Sequence, residues 1–311
     1  MHPAWSILLF TTISGAAQGL VVALAAACLA GANLGRGILV AGLAAAAVLL
    51  MAGLVASFFH LGHPLRAWRA ALMWRTSWMS REVIVLPAFI GVVALWGLAA
   101  ATGASDALVF SFLPLAAIAL ALLLWYCTAM IYACLKFIQE WAHPLTVVNY
   151  TMIGLASGVV LAGALAVLAG QARFVPPLAP WAVAIILLAW ATRALALRRN
   201  AGLKPKSTLQ SATGIQSPRL VQKSMGMTGG SFNTREFFHG ATLRVVRRTK
   251  VLFQLFAFAA PLALICLAVL SQSNLPWLLA LPVQFAGLLA ERWFFFAQAR
   301  HPQNLYYQIV S

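Results

Sequence analysis

Long apolar runs separated by short polar connections make up most of this chain. Eight runs can be marked out, at about 5–30, 37–60, 83–101, 107–135, 145–169, 178–197, 251–270 and 275–297. A helix needs ~20 apolar residues to cross the hydrocarbon core of a bilayer. Runs of this length that are rich in Ala and Leu favour helices over barrel strands, in which polar and apolar residues alternate. The pattern predicts an all-α fold, a polytopic membrane bundle of about eight transmembrane helices in a single domain over residues 1–311.

Composition supports this fold class and narrows the function. The chain is 63% hydrophobic and only 8% charged, whereas a soluble domain carries ~25% charged residues. The first run has no Lys or Arg before it, so we expect a retained helix and not a cleaved signal peptide. None of the five acidic residues lies near the centre of a run, which disfavours an ion-coupled transporter.

The cysteines and histidines do not indicate a metal or haem site in this chain. All four cysteines fall inside predicted spans, and they form no CxxC or CxxH spacing. No histidine lies in the middle of a run, where the axial ligands of a membrane haem would stand. We therefore expect neither metal nor haem.

The distribution of positive charge predicts the orientation. Formal net charge is +16, and 19 of the 21 Lys and Arg residues fall on the side that holds the N-terminus, the C-terminus and connections 2–3, 4–5 and 6–7. Only Arg36 and Arg173 fall on the other side. The positive-inside rule therefore places both termini in the cytoplasm. In a membrane protein, positive charge in the loops is explained by the orientation of the chain, and it can also attract an acidic protein partner. We therefore expect no nucleic-acid binding.

The connection between the sixth and seventh runs is long and basic. From about 199 to 246 the composition changes to Ser, Thr, Gly and cations, and we expect the helices to stop there. Its second half, GGSFNTREFFHG, is too rich in Phe for a linker and predicts a segment that docks a partner. The predicted docking residues are Phe232, Arg235, Glu236, Phe237, Phe238 and His239.

A candidate proton-exchange site lies where the second run ends and the third begins. His60 and Glu82 emerge on the same side because consecutive spanning helices are antiparallel. Between them lies a segment in which Trp68, Trp74 and Trp78 alternate with arginines, a pattern typical of the headgroup region. An imidazole near pKa 6.5 can exchange a proton with a phenolic hydroxyl, and a nearby carboxylate can pass it to water. This is the chemistry of a quinone site.

Simpler interpretations of the same two residues stay open. His60 can be an ordinary interfacial histidine. Ser80 is a plausible helix N-cap, and Glu82 can then stabilise the helix dipole from the first turn.

Three stretches resemble the DmsC-like family of membrane anchor subunits of molybdopterin oxidoreductases. They are FFHLGHPLRAWRA with SWMSREV, MTGGSFNTREFFHG, and ERWFFFAQARHPQNLYYQ. The resemblance implies a bacterial inner-membrane subunit that anchors an iron–sulfur electron-transfer subunit and a molybdopterin catalytic subunit. It also implies electron exchange with membrane quinone, either menaquinone or ubiquinone.

The resemblance also assigns residues to the quinone site. The HLG motif at 60–62 matches the family's quinol-site histidine, hence His60, and the SREV motif matches its acidic residue, hence Glu82. His63, Arg66 and Arg81 complete the candidate set, with His63 as a second proton carrier. The opening MHPAWSILLFTTISGAAQGL is closer to the sulfite:quinone branch than to the dimethyl sulfoxide branch. The alternative function is a purely structural anchor or a transporter-like bundle without a redox site.

Overall fold

The computed structural model describes residues 1–32, 34–59, 63–104, 111–221, 223, 237–302 and 304. Within these residues all regular secondary structure is helical, which confirms the predicted fold class. Eight of the described helices are long and apolar enough to cross a membrane. They are α1 (Trp5–Leu29), α2 (Arg36–Phe58), α3 (Trp78–Thr102), α4 (Leu113–Ala133), α5 (Pro144–Leu168), α6 (Val175–Ala201), α8 (Leu243–Leu270) and α9 (Leu275–Ala297). A short helix, α7 (Leu209–Thr213), lies between α6 and α8.

Several helices extend beyond the apolar runs that predicted them. Helix α3 begins at Trp78, where Ser77 is the N-cap and accepts from the Ser80 backbone N–H at 3.4 Å. The prediction of Ser80 as N-cap is therefore wrong, because Ser80 lies inside the first turn. Hydropathy falls where Trp and Arg enter the interface, whereas helical hydrogen bonding does not require an apolar side chain.

The connection predicted at 199–246 is shortened in the same way. Helix α6 continues to Ala201, and α8 begins at Leu243 with Thr242 accepting from the Val245 backbone N–H. Helix α7 interrupts the connection, so the expectation that helices stop across it is wrong. The first turns of α8 carry basic residues, so the hydropathy pattern did not indicate that the helix begins at Leu243.

Helices α1 and α5 form the centre of the bundle and cross very closely. Gly154 and Gly158 on α5 face Gly19 on α1, and a Cβ built on Gly158 would overlap the Gly19 backbone. Small residues four apart let helix backbones approach in membranes, where packing replaces the hydrophobic effect as the driving force. This crossing positions the polar side chains of α1 against those of α5.

An aromatic cluster closes the end of the bundle where α4 ends and α5 begins. Tyr132 contacts Trp141, Tyr150, Phe295 and Phe296, with ring centroids 5.2–5.9 Å apart. The Trp141 indole N–H donates to the Phe295 carbonyl at 3.0 Å. The aromatic run in ERWFFF therefore belongs to the core of this end, which is also the end that carries the basic connections.

Candidate functional site

The predicted quinone-site residues are only partly described. His60 lies outside the described residues, just beyond the end of α2 at Phe58. His63 is exposed and stands at the N-cap position of a 3₁₀ helix, Pro64–Met73, on which Arg66 is also exposed.

Arg81 connects this 3₁₀ segment to α3. Its Nε donates to the Trp74 carbonyl at 2.9 Å, and its Nη2 donates to the Arg75 carbonyl at 2.8 Å. The guanidinium also lies 4.0 Å from the centre of the Trp78 ring. Arg81 therefore holds the turn before α3 in place.

The 3₁₀ segment presents large apolar side chains outward. Exposed members are Leu65, Trp68, Leu72 and Met73, and Phe59 precedes them. Such a surface, interleaved with arginines, suits the headgroup region of a bilayer.

Glu82 points into the bundle. Its side chain is 8% exposed, and the Thr128 hydroxyl of α4 donates to its Oε1. Glu82 takes part in neither of the ion pairs found among the described residues. Within that part of the chain, its carboxyl is held by the Thr128 hydroxyl and not by a cation. A buried carboxyl without a cation is costly, and such groups in membranes usually serve a function.

Thr128 also lines an opening with both polar and apolar walls, which we call the inner cleft. Its walls come from α1, α4, α5 and α9, and they include Thr12, Ser14, Gln18, Trp125, Tyr150 and Arg292. The unfilled space, including the mouth, is about 460 Å³. The sequence analysis did not predict this cleft. The sequence feature that could have indicated it is the recurrence of Thr, Ser and Gln along the first half of α1.

A buried charge cluster lies beside the inner cleft. Glu291 pairs with Arg193 at 2.7 Å and with Arg292 at 2.8 Å, and all three side chains are at most 5% exposed. The sequence interpretation counted both arginines among the cations of the basic side, and the structure buries them in the protein instead. The guanidinium of Arg292 also lies 4.2 Å from the centre of the Tyr150 ring. Two guanidiniums on one carboxylate leave an excess of positive charge at this place.

A second, outer cleft extends from this cluster to the connection between α4 and α5. Glu140, His143 and Asn149 are among its lining residues. His143 caps α5, because its Nδ1 accepts from the Leu145 backbone N–H at 3.1 Å. Burial lowers the pKa of His143, and the charge of Arg199 lowers it further.

The predicted docking residues are described only from 237 onward. Phe232, Arg235 and Glu236 lie outside the described residues. Phe237 stacks on His301 with ring centroids 3.8 Å apart, and both Phe238 and His239 are buried. Burial lowers the pKa of His301, and the positive N-terminus lowers it further. Phe237 and His239 thus pack near the end of α9 in the same chain, and partner docking stays a prediction.

Metal and haem binding are not tested by the described residues. Within them, no three His, Cys, Asp or Glu side chains lie close enough to hold a metal ion. The expectation that this chain carries neither metal nor haem stays a prediction.

Comparisons with known proteins give a consistent result. Residues 1–297 match the family model described as DMSO reductase anchor subunit (DmsC). A relative from Allochromatium vinosum, a subunit of sulfite dehydrogenase, is 49% identical over an alignment of 331 positions that covers 100% of both chains. These matches confirm the resemblance that the three sequence stretches indicated.

Proposed function

Because the chain belongs to the family of DMSO reductase anchor subunits, the DmsC family, we propose that it exchanges electrons between membrane quinone and an iron–sulfur subunit docked on it. The chain is a multi-pass membrane protein and the anchor subunit of an oxidoreductase. The family implies catalytic and electron-transfer partner subunits of a molybdopterin enzyme. In this proposal the partners hold the molybdopterin and the iron–sulfur clusters.

The observation that carries the proposal is the burial of Glu82. This carboxyl lies in the second turn of α3, is shielded from solvent, and is held by Thr128, which lines the inner cleft. Reduction of a quinone takes up two electrons and two protons, one proton for each ring oxygen. A carboxyl and an imidazole, Glu82 and His60, can supply those protons while the docked subunit supplies the electrons.

The name of the relative supports a proposal for the terminal substrate. Since the related protein is named for sulfite dehydrogenase, we propose that this chain serves a complex that oxidises sulfite and reduces quinone. Oxidation of sulfite to sulfate releases two electrons, which is the number that one quinone takes up. The family description, which names a reductase, supports the reverse direction as a second candidate, with quinol as the electron donor.

The location and orientation are also proposals. We place the subunit in the bacterial inner membrane with both termini in the cytoplasm and with its partners on the basic face. Glu82 and the ends of α4 and α9 lie at that same end of the bundle. Electrons and protons would then enter from one side, so the quinone reaction would move no net charge across the membrane.

Purification of the intact complex through a tag on this chain tests the proposal. We expect iron–sulfur and molybdopterin subunits to co-purify, and we expect sulfite to reduce a short-tailed ubiquinone analogue in detergent. A complex that passes electrons from sulfite to an artificial dye but never to quinone would contradict the redox role. It would favour the alternative of a purely structural anchor.

A further inference from the structure

We infer that the inner cleft is the pocket for the quinone ring, which enters from the lipid past Gly15 and accepts hydrogen bonds from Trp125 and from α1 hydroxyls. The inference rests on the proposed function and extends it to residues of α1 and α4. It places the ring on the opposite side of Thr128 from Glu82.

The walls of the inner cleft carry polar atoms without protein partners. Trp125 is 1% exposed, and its indole N–H has no hydrogen-bond partner among the described residues. The same holds for the hydroxyls of Thr12 and Ser14, both on buried side chains. Buried polar groups are nearly always hydrogen-bonded, so a concentration of unpartnered ones in one cleft indicates a ligand. An indole N–H can only donate, and therefore the ligand must offer an acceptor such as a carbonyl oxygen.

The charge of the cleft fits the same ligand. Arg292 lines it, and the Nη1 of Arg292 has no hydrogen-bond partner in the described part of the chain. Because Arg193 and Arg292 share the single carboxylate of Glu291, the local field is positive. A quinone is neutral when it enters, and its ring oxygens gain negative charge as electrons arrive. Fixed donors and a positive field stabilise charge that develops in this way.

Proton supply is one hydrogen bond away. Thr128 lines the cleft and donates to Glu82 on its far side. When the ring takes up two electrons from the docked subunit, each carbonyl oxygen gains one proton and the product is a quinol. Glu82 can supply one of these protons if the Thr128 hydroxyl turns: the protonated Glu82 carboxyl then donates its proton to the Thr128 oxygen, and the Thr128 O–H donates its own proton to the ring oxygen.

The mouth of the cleft is marked by Gly15. This glycine lines the cleft, and a Cβ built on it would meet no atom within 4 Å. The position therefore opens onto free space, whereas Gly19, one turn further along α1, is packed against α5. A molecule with an apolar tail could leave the tail in the lipid and insert its ring past Gly15.

Gly15→Phe tests the entrance, because the added side chain has room and fills the mouth. At equal complex content, measured by dye-linked turnover, we expect quinone turnover to fall at least about tenfold. Gly91→Phe is the matched control, since Gly91 is also a helix glycine whose Cβ would meet nothing within 4 Å, and it does not line the cleft. Normal quinone turnover in assembled Gly15→Phe would overturn the inference while leaving the proposed function intact.

Trp125→Phe tests the indole N–H as a hydrogen-bond donor to the quinone. It also tests the pocket independently if the Gly15→Phe complex fails to assemble. It keeps an aromatic ring and removes the N–H, so the KM for the quinone analogue should rise roughly two- to tenfold with dye turnover unchanged. Trp190→Phe on α6 is the control, because Trp190 stacks on Phe258 and does not line the cleft. A photoreactive azidoquinone should label peptides of α1 and α4. An unchanged KM in Trp125→Phe, or labelling confined to other helices, would overturn the pocket.

Discussion

Glu291 is the residue on which the charge balance of the bundle depends. It is 1% exposed and lies between Arg193 of α6 and Arg292 of α9. Removing one partner of a buried ion pair leaves an uncompensated charge, which is more costly than the pair is favourable. Here the carboxylate is the shared partner, so its loss leaves two guanidiniums facing each other in a dry environment.

Glu291→Gln should therefore destabilise the subunit by about 3–5 kcal/mol. Thermal unfolding of the purified complex in detergent, followed by loss of tryptophan fluorescence, measures this effect. Glu140→Gln is the matched control, because Glu140 is half-buried, takes part in neither described ion pair, and its side chain accepts a 3.4 Å bond from the Arg300 backbone N–H. If both variants unfold at the wild-type temperature, the shared ion pair does not stabilise the fold.

Single residues show what could be predicted from sequence. Glu82 stood out because the chain has only five acids, whereas its partner Thr128 lies 46 positions away and resembles any threonine in a membrane helix. Trp125 could not be identified from sequence, because whether its indole N–H has a partner depends on how α4 packs against its neighbours. Arg193 was misassigned because an arginine near the end of an apolar run usually reaches the interface.

At the scale of helices, hydropathy located the spans and most of their ends, but it missed the starts of α3 and α8 and could not show which helices pack together. The starts of α3 and α8 were missed because aromatic and basic residues begin each helix outside the hydrocarbon. The spacing of Gly154 and Gly158 was present in the sequence, but its meaning depends on Gly19, which only the fold places opposite.

Gly158→Ala tests this crossing. The added methyl group would overlap the Gly19 backbone, so α1 and α5 must separate, and overpacking of this kind costs about 1–3 kcal/mol or more. We expect a lower unfolding temperature and less subunit in membranes. Gly91→Ala, which meets open space on α3, should keep wild-type values. Equal levels of the two variants would show that the close approach is dispensable.

The contact between Phe237 and His301 should depend on pH. Burial lowers the pKa of His301 from its ordinary 6.5, so protonation is easier once the contact opens. The contact is then fully formed above about pH 6.5 and is lost as the pH falls through the lowered pKa. Protection against hydrogen exchange at 237–241, measured relative to the intrinsic exchange rate at each pH, should fall at acidic pH. His301→Phe keeps the stacking and should keep the protection. A loss of protection that persists in His301→Phe would assign it to another titrating group.

The whole molecule is built with its chemistry at one end. Glu82, the charge cluster, the aromatic cluster and the outer cleft all lie where α3 and α5 begin and where α4 and α9 end. With Arg193 and Arg292 buried, the basic surface of this end is smaller than the sequence count implied, yet the opposite end still has only Arg36 and Arg173.

Reporter fusions test the resulting orientation. At Gly214, between α6 and α8, a reporter that works only in the cytoplasm should be active and one that works only in the periplasm should be inactive, because of the charge asymmetry. At Gly170, between α5 and α6, the two reporters should give the opposite result. Both glycines have positive φ and open surroundings, so insertion should be tolerated equally. The reverse pattern would place the partner subunits outside the cytoplasm.

The central claim is that this anchor brings quinone together with the electrons of a docked subunit, while protonatable groups at one end of the bundle exchange the protons. The most direct measurement is the ratio of quinone-linked to dye-linked turnover in membranes that contain equal amounts of complex. Loss of a general acid–base group typically lowers a rate by ~10²–10⁴-fold, so His60→Ala should lower this ratio strongly. His2→Ala, which changes an exposed histidine near the N-terminus, should leave it unchanged. A wild-type ratio in His60→Ala would contradict the proposed quinone site.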